Sequence, residues 1–179
     1  PQNNAKAERN NLGILDGTRA ALIQAGFPGC FWPFAAPHYC FLDNTRFHNG
    51  HGEPLEGGSA WAKAHGKGEL DGLRLPFGCE VIFLPAPTKR AIPSYKWDGR
   101  GQPGVLAGYH LHPGYVWKGE YLAWSLEELT KVDLNEDSKN FPPSVRNPHV
   151  TPAVRMPGEE ALRFPIKAEY DRLNFTLAG

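Results

Sequence analysis

Glycine and proline supply 20 and 17 of the 179 residues of this chain, against a usual combined share of about 12%. Proline fixes φ and removes a backbone donor, while glycine adds conformational entropy that folding must remove. The chain is therefore expected to contain many turns, short elements and some irregular segments. A fold of this length still buries roughly 70% of its unfolded surface, so a real core forms without staples. Three widely spaced cysteines, Cys30, Cys40 and Cys79, make neither a disulfide framework nor a zinc set. They read as buried thiols in an intracellular, reducing setting. No apolar run reaches 18 residues, so no transmembrane segment is expected. Met156 is the only methionine; with none at position 1, the chain is expected to be cut from something longer.

Four regions follow from periodicity and punctuation. Residues 4–26 read as a helix, because Leu12, Leu15, Leu22 and Ile23 repeat at helical spacing. Gly26-Phe27-Pro28 ends it, and Gly13 and Gly17 weaken it by up to about 1 kcal/mol each. A second helix is expected over 33–43, with Pro33 at its first position. The helical region thus spans 1–44. Residues 45–72 read as loop. Residues 73–129 read as a small β unit, a barrel or sandwich. Its strand candidates are Glu80–Leu84, Gly104–His110 and Gly119–Ser125, separated by Asp98-Gly99, Pro113-Gly114 and Lys118-Gly119 as turns. Residues 130–179 read as an extended, Pro-rich tail. The fold class is α+β.

Formal net charge is zero, with 19 basic and 19 acidic side chains, which disfavours a globally basic nucleic-acid binder. Charge is nevertheless uneven. Residues 86–118 carry Lys89, Arg90, Lys96, Arg100 and Lys118 against Asp98, net +4, and residues 119–137 are net −5. Basic residues interleaved with Tyr95 and Trp97 have the composition of a nucleic-acid surface; a solvated mixed surface is the alternative. His110 and His112 alternate with Tyr109 and Leu111, so they share one strand face. They read as surface or half-buried strand residues, with phosphate contact as the alternative.

The opening stretch Pro1-Gln2-Asn3-Asn4-Ala5-Lys6-Ala7-Glu8-Arg9-Asn10 resembles the segment around the catalytic glutamate in copia-type retrotransposon integrases, with Ala5 where that family prefers Gly. Leu15 to Pro28, then Phe31-Trp32-Pro33 and Ala35-Ala36, resembles the helix–turn–Phe-Trp–helix end of the family's catalytic core. Asn44 and Arg46 stand near its Asn-Arg close. Leu73-Arg74-Leu75-Pro76-Phe77-Gly78-Cys79, Pro103 to Tyr109 and Lys118 to Leu126 resemble strands of the β unit behind that core. The likeness covers roughly residues 1–129. It implies that the β unit is a small barrel of the Src-homology-3 kind.

The resemblance further implies chemistry with two Mg²⁺ ions held by two aspartates and one glutamate, which stabilise an in-line displacement on DNA. Glu8 matches that glutamate and is the candidate catalytic and metal-binding residue. From spacing alone, Glu8 reads first as an acid favoured near a helix N-terminus. The two aspartates belong upstream, and only seven residues precede Glu8, so no strand transfer is expected from this polypeptide alone. Without the core's sheet, Phe27, Phe31, Trp32, Phe34, Tyr39 and Phe41 are expected to form an open aromatic face for a protein partner.

Two functions compete at this point. One is a non-autonomous piece of an integrase that binds and positions DNA through Lys89, Arg90, Lys96, Trp97, Arg100 and Lys118, with Mg²⁺ as cofactor of the intact enzyme, in a nuclear or cytoplasmic particle. The other is a non-catalytic structural subunit of retrotransposon origin that contacts other protein subunits.

Overall fold

A computed structural model describes residues 2–48, 53–54, 56–66, 68–86, 99–158 and 161–175. Helix α1 (Gln2–Ala25) is followed by a 3-10 turn over Gly29–Phe31 and helix α2 (Trp32–Asn44). The short helix α3 (Ala60–His65) precedes strands β1 (Glu80–Phe83), β2 (Gln102–His112) and β3 (Val116–Ser125). Then come α4 (Leu126–Leu129), α5 (Pro143–Arg146), β4 (His149–Thr151), β5 (Val154–Arg155) and α6 (Lys167–Phe175). None of these helices is long and apolar enough to cross a membrane.

The stop of α1 is the expected one. The Gly26 amide donates to Ile23 O and the Phe27 amide to Leu22 O, at 3.3 and 3.0 Å. Gly26 has φ +76°, so the end of α1 is a Schellman motif that needs a residue without a Cβ. Gly17 has a different role from the simple weakness expected of it. The ring of Tyr39, on α2, fills the space where a Cβ at Gly17 would stand, whereas Gly13 has nothing within 4 Å. The first glycine lets two helices approach, and only the second is a plain loss of helix propensity.

All strand pairs are antiparallel, in the order β4-β3-β2-β1-β5. The architecture is therefore α+β, a helical pair followed by a five-stranded antiparallel sheet. β2 is buried from Gly104 to Tyr109 without alternation, because both of its faces are covered. Val105 and Ala107 join α1, the Phe27-Phe31 turn and Trp124 on one side. Leu106 and Tyr109 join Phe41, Trp61 and Leu75 on the other.

Three expectations are corrected here. Residues 130–179 are not simply an extended tail, since they contribute β4 and β5 to the two edges of the sheet. Phe141, Val145 and Val154 are buried, and the indole Nε1 of Trp124 donates to Val145 O at 2.8 Å. Residues 45–72 are more than loop. Ser59 caps α3 by accepting from the Ala62 amide, and Trp61 and Leu70 are buried. Finally, β3 begins at Val116, so Lys118-Gly119 is no turn; the hairpin reverses at residues 113–115. Of the cysteines, Cys79 alone is buried, and burial pushes its thiol up to about 12.

Candidate functional site

Glu8 lies on the exposed first half of α1. Its Oε1 accepts from Asn4 Nδ2 at 2.9 Å, one turn earlier. Leu12, Leu15 and Ile23 follow on the same side of the helix and are 57, 50 and 49% exposed. Among the described residues, no group of three imidazole, thiol or carboxylate ligands includes Glu8. A pair of Mg²⁺ ions needs several carboxylate oxygens. Among the described residues Glu8 is solvated and bonded to the Asn4 amide alone, which does not fit that role, and no catalytic step is derived through it.

The aromatic residues do not make one open face. Phe31 and Phe41 are 1 and 0% exposed, because the sheet supplied by residues 80–155 covers them. Phe31 packs edge-on to Trp124 with ring centroids 5.5 Å apart, and Phe41 packs on Tyr109 at 4.4 Å. Phe34 is half-buried against Trp124 and Tyr39 is half-buried on α1. Phe27 is buried too, and Trp32 alone of the six aromatic residues stands out, 61% exposed.

Lys89, Arg90, Lys96 and Trp97 lie outside the described residues. Arg100 and Lys118 are exposed but are not brought together. Arg100 precedes the first residue of β2, whereas Lys118 follows Trp117, which pairs with Leu111 near the other end of β2. Nine residues of strand separate the two ends, about 30 Å along the chain.

What the fold does assemble is a cluster on the β2–β3 hairpin. His110 and His112 project from one face of β2, while Tyr109 and Leu111 point into the second core cluster. Tyr109 pairs with Tyr121, but Leu111 pairs with Trp117, so two residues of β2 span four of β3. Continuing the register of the hairpin end would set His110 opposite Lys118. The bulge instead sets Glu120 there. Gly119, at φ +85°, makes the bulge, and the Trp117 indole Nε1 pins it by donating to Glu120 O at 2.7 Å.

Glu120 Oε2 lies 2.8 Å from His110 Nδ1 and 3.0 Å from His112 Nε2. These two hydrogen bonds, His110 first, hold the Glu120 carboxyl below the usual carboxylate range. An ionised carboxylate only accepts, so His110 carries a proton on Nδ1 and His112 on Nε2. The three side chains are 37, 28 and 34% exposed. The shared face of the two histidines was legible from their spacing. Glu120 was missed, and the signal that points to it is a glycine inside a strand, which marks a bulge as readily as a turn.

The chain matches no protein-family model, no curated protein and no solved structure.

Proposed function

We propose that this chain is the DNA-positioning part of a copia-type integrase, made of the closing helices of its catalytic core and the β unit behind them. The observation that carries this reading is the first half of α1. Residues 4–16, more than three helical turns, are exposed while holding Glu8, Leu12 and Leu15 in one stripe. A carboxylate at the end of an apolar stripe suits a helix that packs on a further sheet. The rest of α1 and α2 pack on the β unit, which joins the two parts into one body.

The β unit supports the reading by its curl. β4 and β5 lie on opposite edges of the sheet, yet only Pro152 and Ala153 separate them. Three Cα–Cα steps span at most about 11 Å, so these two edge strands lie near each other where they are joined, which supports a small Src-homology-3-like barrel. In this role Glu8 would hold Mg²⁺ only beside two further aspartates, and the described residues position DNA rather than cut it. Of the six candidate DNA-contacting residues, Arg100 and Lys118 are the two among the described residues, both exposed, level with the two ends of β2.

The test is duplex DNA binding followed by fluorescence anisotropy for the wild-type chain and for Arg100→Glu and Lys118→Glu. Each charge reversal is expected to weaken binding several-fold, and equally for unrelated DNA sequences, because phosphate contacts carry no sequence information. If the wild-type chain fails to bind DNA, the second reading takes over. In that reading Leu12, Leu15, Ile23 and Trp32 are the docking face of a structural subunit.

A further inference from the structure

We propose that His110, His112 and Glu120 form a binding site for a divalent transition metal of the Zn²⁺ class, with three protein ligands and an open position for water. The donor set is two imidazoles and one carboxylate. That combination suits Zn²⁺, Co²⁺ or Fe²⁺, whereas Mg²⁺ and Ca²⁺ prefer oxygen alone. The site is therefore chemically distinct from any Mg²⁺ centre at Glu8 and does not rest on the integrase reading.

Geometry supports the assignment. The three ligand atoms lie within 4.8 Å of one another. A tetrahedral zinc with bonds near 2.0–2.2 Å places its ligand atoms about 3.3 Å apart. The present separations from Glu120 Oε2, 2.8 and 3.0 Å, are a few tenths of an ångström shorter, and rotation of the side chains would equalise the three separations around the ion. The frame is set by backbone. Two histidines at i and i+2 share a strand face, and the bulge at Gly119 delivers the carboxylate between them. Partial exposure of all three side chains leaves room for a water or an external ligand, as in zinc sites with an open coordination position. Among the described residues this is the one cluster of three such ligands.

Metal binding has a proton requirement. Without metal, His110 carries its proton on Nδ1 and His112 on Nε2, both facing Glu120. A metal takes a lone pair on those same nitrogens, so the proton on each facing nitrogen must leave it and the other ring nitrogen carries the N–H. Both tautomers invert.

The experiment is titration of the intact chain with ZnCl₂, followed by calorimetry and by imidazole ¹H–¹⁵N spectra. One equivalent is expected to bind, with tautomer inversion at His110 and His112, and a tenfold excess of MgCl₂ is not expected to displace it. His110→Ala and Glu120→Gln are each expected to weaken binding at least tenfold. Co²⁺ should give visible d–d bands in the wild type that His112→Ala loses. Circular dichroism checks that each variant folds, and the spectra of the wild type decide the matter even where a variant does not. Absence of binding, or binding that leaves the two tautomers unchanged and survives these substitutions, overturns the assignment.

Discussion

Glu8 and Glu120 are both carboxylates on regular elements, with opposite surroundings. Glu8 stands on a solvated helix and is held by one amide a turn away. Glu120 sits between two imidazoles on a bulged strand whose backbone is pinned by Trp117. The first residue was singled out by a sequence resemblance, and among the described residues no ligand cluster surrounds it. The second belongs to no pattern and is surrounded by ligands. Proximity in sequence and assembly in space are separate facts. A helix displays its own residues, whereas a hairpin brings together residues eight and ten positions apart.

The same contrast divides α1. Its last turns lie against a core of Phe27, Phe31, Phe77 and Trp124, and its first turns touch little of the described chain. Substitutions should separate the two halves sharply. The largest effect belongs to Trp124→Ala. That change removes four aromatic contacts and the bond to Val145 O. It is expected to cost about 3–5 kcal/mol in urea unfolding, enough to consume much of an ordinary domain's stability.

Acid should act through the same packed half. His38 is 3% exposed beside Phe77 and Tyr109, neither ring nitrogen has a partner among the described residues, and burial pushes its pKa down to about 4. The folded value lies below the unfolded value of about 6.5. Between the two the unfolded chain binds more protons, so stability is complete above about pH 6.5 and falls as pH drops toward 4. The loss reaches about 3 kcal/mol. Urea midpoints across that window should show it, and His38→Leu should flatten the curve; a wild-type curve already flat there would remove this account of His38.

Smaller effects sharpen the division. Gly17→Ala drives a methyl into the Tyr39 ring and should destabilise by about 1–3 kcal/mol. Gly13→Ala, one turn earlier in open space, should stabilise by up to about 1 kcal/mol. Thermal melts of the two variants moving in the same direction would break the distinction between them. Leu12→Ser and Leu15→Ser, on the exposed stripe, should change stability by no more than about 0.5 kcal/mol each. A larger loss would show that the stripe is already covered within this chain.

Legibility followed the range of the interactions. α1 was readable because Leu12, Leu15 and Leu22 encode one face and Gly26-Phe27-Pro28 encodes its stop. α2, β1 and the hairpin were readable for the same local reasons. The strands His149–Thr151 and Val154–Arg155 were not. Three residues and two, parted by Pro152, are too short to show alternation, and they are fixed by pairing with β3 and β1 far back in the chain. That hidden sheet also explains why Phe31 and Phe41 looked open in sequence and are buried in the fold. Glu120 escaped because a two-residue register shift at Gly119 is decided by the twist and packing of the sheet, with Gly119 reading equally well as a turn. Of the basic cluster, Arg100 and Lys118 show that neighbours in charge pattern can sit at opposite ends of one strand.

The most direct test of DNA positioning is the salt dependence of duplex binding by the intact chain, with chelator present so that no transition metal contributes. If Lys89, Arg90, Lys96, Arg100 and Lys118 each neutralise a phosphate, log K should fall against log salt with a slope of about −4.5. A slope within about one unit of zero, the mark of no phosphate contacts, would contradict the integrase reading and leave the stripe of Leu12, Leu15 and Ile23 as a face for protein.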